Sequence, residues 1–382
     1  MPPGEVPSIL ARFGIPTAAG ITPIGGGHIN QSWRVVPGPE AEVAGVAARG
    51  GAPAPESFLL QRLNPAVFAD GAAVMRNLAL VTEHLWEAAK RRSLTQPERR
   101  VLRLGRTTEG DPAVQGNDGA WWRLVVYIAR TRVIEQAGSV DEAREAGRAF
   151  GLFQRLLADY AGPPLVETIP GFHDTALRLA RLDAAVLRDA RGRLREVPAE
   201  LDFALGRRAH AEVLPGLPST ARLPRRVVHN DAKIGNVLFD ADTGEGLAVV
   251  DLDTVMPGTL LSDVGDLIRS TASPTSEDET VLARIRVSRP LVEALMTGFL
   301  GQCGEMLTET ERGLLVFSGI LLAYEQGVRF LTDYLEGDRY YRITRPGHNL
   351  DRARAQFRLV ELLEGERGAL EKSIAEIVRR EM

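Results

Sequence analysis

Within eight residues, His229-Asn230-Asp231-Ala232-Lys233-Ile234-Gly235-Asn236 carries an imidazole, a carboxylate, an ammonium and a second carboxamide. Fifteen residues after Asn236, an apolar run ends in Asp251-Leu252-Asp253. His-x-Asp-x-x-x-x-Asn, followed by an Asp that closes a buried strand, suits ATP-dependent phosphoryl transfer. Asp231 would accept or orient the proton of an attacking hydroxyl. Asn236 and Asp251 would offer a neutral and an anionic oxygen to Mg²⁺, which prefers hard oxygen ligands. A lone Asp or Asn near a strand is more often a turn residue or a cap, so context decides. Here Val227-Val228 and Val237-Leu238-Phe239 bracket the block, and Asp240-Ala241-Asp242-Thr243-Gly244 is a turn signal. Residues 237–239 and 247–250 therefore read as a hairpin that returns Asp251 to the end held by Asn236.

The 46 basic residues comprise three lysines (Lys90, Lys233, Lys372) and 43 arginines. A lysine kept two residues after Asp231 is suggestive, because a compact ammonium there can reach a transferring γ-phosphate; a chance surface lysine is the plain alternative. Protein kinases hold the α- and β-phosphates with a strand lysine of their small lobe. No such lysine exists here, since Lys90 falls in a helix-like stretch. The candidate strand, Phe58 to Leu63, offers Gln61 and Arg62, of which alternation lets one face the cleft. Charge favours Arg62. Upstream, Gly25-Gly26-Gly27-His28-Ile29-Asn30 lies between strand-like segments, and glycines let backbone N–H groups approach phosphates closely. Ordinary hairpin turns use the same residues.

Around these groups the chain reads as a small β-rich part followed by a helical one. Strand character at 32–36, 58–63 and 121–128 surrounds a helix over 74–92, whose apolar positions Val74, Leu78, Val81 and Leu85 recur at helical spacing. The end of the 121–128 strand would be a hinge where backbone groups of Tyr127 and Ile128 pair with adenine, unless it is simply a core strand. Residues 37–56, rich in Ala, Gly and Pro, read as an extended loop. Helices are expected at 143–157, 174–190, 199–213, 290–301, 309–333 and 351–380. Asp263 and Asp266 would brace the catalytic loop, and His173 reads as structural.

At 382 residues the chain has room for two lobes, 1–130 and 131–382. With 46 basic against 50 acidic residues and 44% hydrophobic content, it has the make-up of a globular enzyme and no basic excess for nucleic acid. The single Cys303 excludes an internal disulfide framework and fits a reducing cytoplasm. The N-terminus has no secretory pattern, and Leu314 to Tyr324 is too short to span a bilayer. No membrane attachment is expected, and the oligomeric state is open.

The block Val227–Ser270 resembles the aminoglycoside phosphotransferase and choline kinase group, and within it the N-acetylhexosamine 1-kinases. The likeness extends to Gly26–Asn30, Leu60–Asn64, Val74–Leu78, Glu167–Thr175, Asp251–Gly258 and Gly327–Asp338. It implies an α+β, bilobal protein-kinase-like fold, ATP and Mg²⁺ as cofactors, and a small-molecule sugar as partner. It implies Asp231 as base, Asn236 and Asp251 on the metal, and His28, Arg329 and Tyr340 on the hexosamine. Taken residue by residue, Arg329 could instead pair with Asp333 at i+4, and Tyr340 and Tyr341 could pack under a turn. Other acceptors (an aminoglycoside, homoserine, choline or another sugar) and an inactive nucleotide-binding module are the competing expectations.

Overall fold

The computed structural model describes residues 4–25, 30–46, 55–217 and 223–381. Gly26, Gly27 and His28, and positions 47–54 of the expected 37–56 loop, lie outside the described residues. The chain opens with α1 (Val6–Arg12), β1 (Ala18–Pro23), β2 (Gln31–Pro37), β3 (Phe58–Arg62), α2 (Gly71–Arg91), α3 (Pro97–Arg100), β4 (Leu104–Gly105), β5 (Val114–Gln115) and β6 (Trp121–Val126). These strands make one antiparallel sheet in the order β1-β2-β3-β6-β4, with β5 on β6.

Strand alternation sorts that sheet into two faces. Trp33, Leu60, Trp122 and Leu124 join Val6, Ile9 and Leu10 of α1 in one apolar cluster, where Trp33 and Trp122 stack at 5.5 Å. Leu59 and Val125 point the other way, towards the large core that the buried stripe of α2 (Met75, Leu78, Val81, Leu85) enters. The Asp70 carboxylate caps α2 by accepting from Ala73 N at 2.9 Å. Gln61 and Arg123 are register partners on the α2 face. Arg62 shares the face of Leu60 and pairs with Asp118 near the surface. The expectation that Arg62 faces the cleft is thus corrected: the pleat gives that face to Gln61.

Next come β7 (Thr131–Arg132), α4 (Val140–Leu157), α5 (Thr175–Arg188), α6 (Pro198–Gly206), β8 (Arg226–Val228), β9 (Val237–Asp240), β10 (Gly246–Val249), β11 (Met256–Gly258), α7 (Leu260–Thr271), α8 (Arg289–Cys303), α9 (Glu309–Gly313), α10 (Leu315–Glu336) and α11 (His348–Glu381). The expected helix over 309–333 is two helices that meet at Leu314; Thr308 and Glu311 form a capping box at the start of α9. Helix α7 is absent from the expectations, although Leu260, Leu261, Val264, Leu267 and Ile268 recur at helical spacing. Its polar residues Asp263, Asp266 and Arg269 are buried instead of solvated, which blurs the amphipathic pattern.

Helices α4 and α8 cross at backbone contact. A Cβ on Gly147 would stand 2.0 Å from Leu295 O, and one on Gly298 would stand 2.0 Å from Arg144 O. Since α4 also carries Gln154 towards the catalytic loop, the crossing sets part of the platform under the site. Gly147→Ala or Gly298→Ala should lower stability by about 1–3 kcal/mol or more, as overpacking does. Denaturant melts check this; an unchanged midpoint would mean that the helices part without cost.

Candidate active site

The loop from His229 to Asn236 connects β8 to β9 and is held from beneath by one carboxylate. Asp263, on the first turn of α7 and fully buried, accepts from His229 N and Asn230 N, both at 2.8 Å, and from Gln154 Nε2 at 2.7 Å. Burial pushes its carboxyl pKa up, against the pull of His229 and these N–H groups. Asp266, expected to share that role, instead pairs with Arg269 three residues on, which also holds Glu277.

His229 closes the loop onto the neighbouring hairpin. Its Nε2 lies 2.9 Å from Val250 O, and its Nδ1 accepts from Asp231 N at 3.3 Å. The ring packs edge-on against Phe150 and Phe153. Asn230 has φ of 62°, a left-handed conformation that Asn tolerates better than most residues. Its amide repays this by donating to Thr254 O at 3.1 Å, while Thr254 Oγ1 donates to His229 O at 2.7 Å.

The hairpin returns as its turn signal requires. Val249 pairs with Val237, and Val250 N donates to Asn236 O at 2.9 Å, so Asn236 and the start of Asp251 sit side by side. Asn236 Nδ2 donates to Asp231 O at 2.8 Å and to Asp231 Oδ2 at 3.1 Å. That assignment leaves Asn236 Oδ1 with no hydrogen-bond donor among the described residues. Lys233 Nζ also lies 3.1 Å from Asp231 Oδ2. Crowding by protein raises the Asp231 carboxyl, but Lys233 and His229 outweigh it and hold the group well below the usual carboxylate range. Asp231 correspondingly drives the Lys233 ammonium up. Asp251, also left-handed at φ 62°, is exposed at the end of the hairpin. Desolvation by the surrounding protein, then the charges of Asp253 and Asp231, push its carboxyl up to about 6.

Asp231, Lys233 and Asn230 form the floor of a cavity of about 650 Å³. Arg329 on α10 lies over Phe172 at 4.9 Å, 6.0 Å from the Tyr340 ring and 5.7 Å from that of Tyr341. Its Nη1 donates to Gln326 Oε1 at 3.1 Å. The i+4 ion pair with Asp333 does not form, because Asp333 accepts from Arg339 N, Tyr340 N, Tyr341 N and Asn349 Nδ2. Asp333 therefore shapes the segment that presents Tyr340, 53% exposed. Tyr341, which the sequence suggested only as a residue packed under a turn, lines the cavity with its hydroxyl on Gln326 and its pKa pushed up by burial to about 12. Only its adjacency to Tyr340 hinted at this.

On the sheet side, a Cβ on Gly25 would meet nothing within 4 Å among the described residues. Tyr127 N donates to Ser57 O at 3.1 Å, and Ile128 O accepts from Thr131 Oγ1 at 3.0 Å. Those two groups are therefore committed, leaving Ile128 N–H without a partner among the described residues. Arg123 was overlooked in the sequence. Its side chain, 5% exposed, reaches across to Asp253.

His173 connects cavity to catalytic loop. Its Nδ1 faces Glu325 Oε1 and its Nε2 faces Asn230 O, each at 2.9 Å. Both partners only accept, so both ring nitrogens donate and the ring is an imidazolium. Burial works against that charge, but Glu325 and the Asn230 carbonyl outweigh it and raise the pKa above 6.5. With the folded-state value raised, the contribution to stability is fully present below pH 6.5 and is lost as pH rises through the folded value. The melting midpoint should fall across that window in the unaltered chain and vary less in His173→Gln. Parallel pH profiles for the two would exclude the charged pair.

Residues 20–288 match the family model described as APH, the phosphotransferase enzyme family. Among solved structures, a choline/ethanolamine kinase family protein from Mesorhizobium loti superposes with TM-score 0.53 at 16% identity, over 98% of this chain and 97% of the other. An aminoglycoside phosphotransferase from Alicyclobacillus acidocaldarius superposes with TM-score 0.56 at 14% identity, over 100% and 98%. A spectinomycin phosphotransferase in complex with ADP and spectinomycin gives 0.51 at 10%, over 91% and 94%. At these identities the likeness speaks for the kinase-like fold. The family match spans well over half of the chain, including the loop, the hairpin and nearly all of the sheet, and the chain belongs to the phosphotransferase enzyme family, as a small-molecule phosphotransferase.

Proposed function

We propose that this phosphotransferase moves the γ-phosphoryl group of ATP to the anomeric hydroxyl of an N-acetylhexosamine, giving the sugar 1-phosphate. The observation that carries the acceptor class is the charge pattern of the cavity. Its carboxylates are mostly spent on protein cations: Asp231 on Lys233, Asp266 and Glu277 on Arg269, and Asp338 on Arg193. Glu135, exposed on the lining, is the exception. Arg329, Arg339, Arg342 and Arg352 line the same cavity with no carboxylate partner among the described residues. A cationic aminoglycoside or choline would meet net repulsion there, whereas a neutral polyol finds hydrogen-bond donors and the Phe172, Tyr340 and Tyr341 rings. The likeness of Glu167–Thr175 and Gly327–Asp338 to the N-acetylhexosamine 1-kinases supports the finer choice of sugar.

In this reading Asp231 orients the attacking hydroxyl and takes its proton late, since phosphoryl transfer passes through a loose transition state. A carboxylate held well below its usual range is a weak base, which suits orientation better than early proton abstraction. Lys233 lies close enough to Asp231 to place its ammonium on the incoming γ-phosphate. Among the described residues no cluster of three or more His, Cys, Asp or Glu side chains could hold a metal. Mg²⁺ needs none, because it is ordinarily bound by one or two carboxylates plus substrate phosphates and water. Asn236 and Asp251 fit that pattern, and the ion would neutralise phosphate charge. The crowding of Asp251 by Asp253 and Asp231 is the kind a cation relieves. Gly25 to Gly27 would cover the phosphates, Ile128 N–H would meet adenine, and His28 would join Arg329 and Tyr340 on the sugar. The division into lobes near residue 130 belongs to the same proposal.

With Mg-ATP and N-acetylglucosamine or N-acetylgalactosamine, ³¹P NMR should show a phosphate doublet coupled to an anomeric proton, with matching ADP. Intact ATP with every sugar, and turnover with an amino alcohol or aminoglycoside, would overturn the acceptor. Asp231→Asn should lower kcat by roughly 10²–10⁴-fold, the range for loss of a proton acceptor, with ATP affinity little changed. Near-normal turnover would remove Asp231 from its role.

A further inference from the structure

A protein-kinase-like site needs a cation on the α- and β-phosphates, and β3 supplies none. Position 61, which faces the cleft, is a glutamine, and Arg62 is turned away onto Asp118. The usual anchor for such a cation is missing as well. The acidic residues of α2, Glu83 and Glu87, pair with Arg106 and Lys90. Asn77 of α2 instead reaches the metal-binding segment directly and donates to Val255 O at 3.1 Å.

The neighbouring strand carries a buried guanidinium in this place. Arg123 on β6 is the register partner of Gln61, and its Nε donates to Gln61 Oε1 at 2.9 Å. Its Nη1 donates to Asp253 Oδ1, and the two side chains are 5% and 3% exposed. Gln61 is itself fixed by donating to Ser32 Oγ at 3.1 Å. The second oxygen of Asp253 accepts from Asn30 Nδ2 at 2.6 Å, and Asn30 Oδ1 accepts from Asn64 N at 3.0 Å. Asn30 lies three residues after Gly27 in sequence. Arg123 is thus clamped onto Asp253, two residues after Asp251 in the chain. A guanidinium offers five N–H donors. Nε and Nη1 are engaged, while Nη2 has no partner among the described residues.

We propose that Arg123 is the nucleotide-phosphate cation of this chain, oriented by Gln61 and Asp253 in place of a lysine on β3. This rests on the ATP reading but not on the identity of the acceptor. Asp253 then acts as a positioning residue for the guanidinium, distinct from Asp251. Arginine suits the position because its planar fork holds two protein acceptors and still presents N–H groups to phosphate oxygens.

Calorimetric titration of the full chain with adenosine and with Mg-ADP, without acceptor, tests the assignment. Arg123→Gln should weaken Mg-ADP by about tenfold or more, the loss expected for a charge-assisted hydrogen bond, and leave adenosine unchanged. Equal losses for both ligands, or none for Mg-ADP, would overturn it, since a purely structural role cannot single out the phosphates. Should Arg123→Gln fail to fold, Arg123→Lys keeps the buried charge opposite Asp253 and carries the same comparison. It should weaken Mg-ADP selectively, and unaltered Mg-ADP affinity in it would also overturn the proposal. An unaltered chain that binds neither ligand would sink the nucleotide reading itself, and this assignment with it.

Discussion

The Asp263 carboxylate is the interaction on which the site depends. It is fully buried, and it takes the two consecutive N–H groups of His229 and Asn230 together with the Gln154 amide. A carboxylate in that setting is costly unless its lone pairs are satisfied, and the catalytic loop satisfies them. The loop in return gains a rigid support at the residues just before Asp231. From there the order propagates: His229 ties Asp231 N–H to the end of β10, and Val250 ties that end to Asn236. Asp231, Asn236 and the start of Asp251 are therefore positioned by one connected set of hydrogen bonds.

A second constraint joins the sheet to this platform. The segment from Asp251 to Val255 is held from the sheet side by Arg123, Asn30 and Asn77. Two residues of the site, Asn230 and Asp251, are in left-handed conformation. Such conformations cost of order 1 kcal/mol or more each and persist where their surroundings over-determine them. Here the surroundings are side-chain amides and hydroxyls bonded to backbone carbonyls, as Asn230 and Thr254 show. His173 adds a charged link from Glu325 on α10 to the Asn230 carbonyl. Because Arg329 lies one helical turn beyond Glu325, the cavity wall and the catalytic loop share a support.

Several features were legible because a short local pattern determines them. The catalytic hairpin follows from two apolar runs around an Asp-Ala-Asp-Thr-Gly turn. The small-lobe helix follows from its 3.6-residue stripe. The choice between Gln61 and Arg62 was not legible, since alternation says only that the two differ in face. Which face is inward depends on α1 and α2 packing on opposite sides of the sheet. Helix α7 was obscured because its polar residues are buried by partners that are distant in sequence, Gln154 and the 229–230 backbone among them. Arg123 gave no signal in a chain with 43 arginines, and Tyr341 gave only its position beside Tyr340.

By itself the sequence determined the groups on offer: two carboxylates, an ammonium and a carboxamide at spacings that a loop and a hairpin bring together. Those spacings are local, and backbone geometry alone closes them. The tertiary structure decided which charges are free to act. Asp333 is spent on a turn, Asp266 on Arg269 and Asp253 on Arg123, while Arg329 lies over aromatic rings with no carboxylate partner among the described residues. Such assignments depend on what each group meets after the chain has packed, and a charge declares its partner only when burial makes it need one.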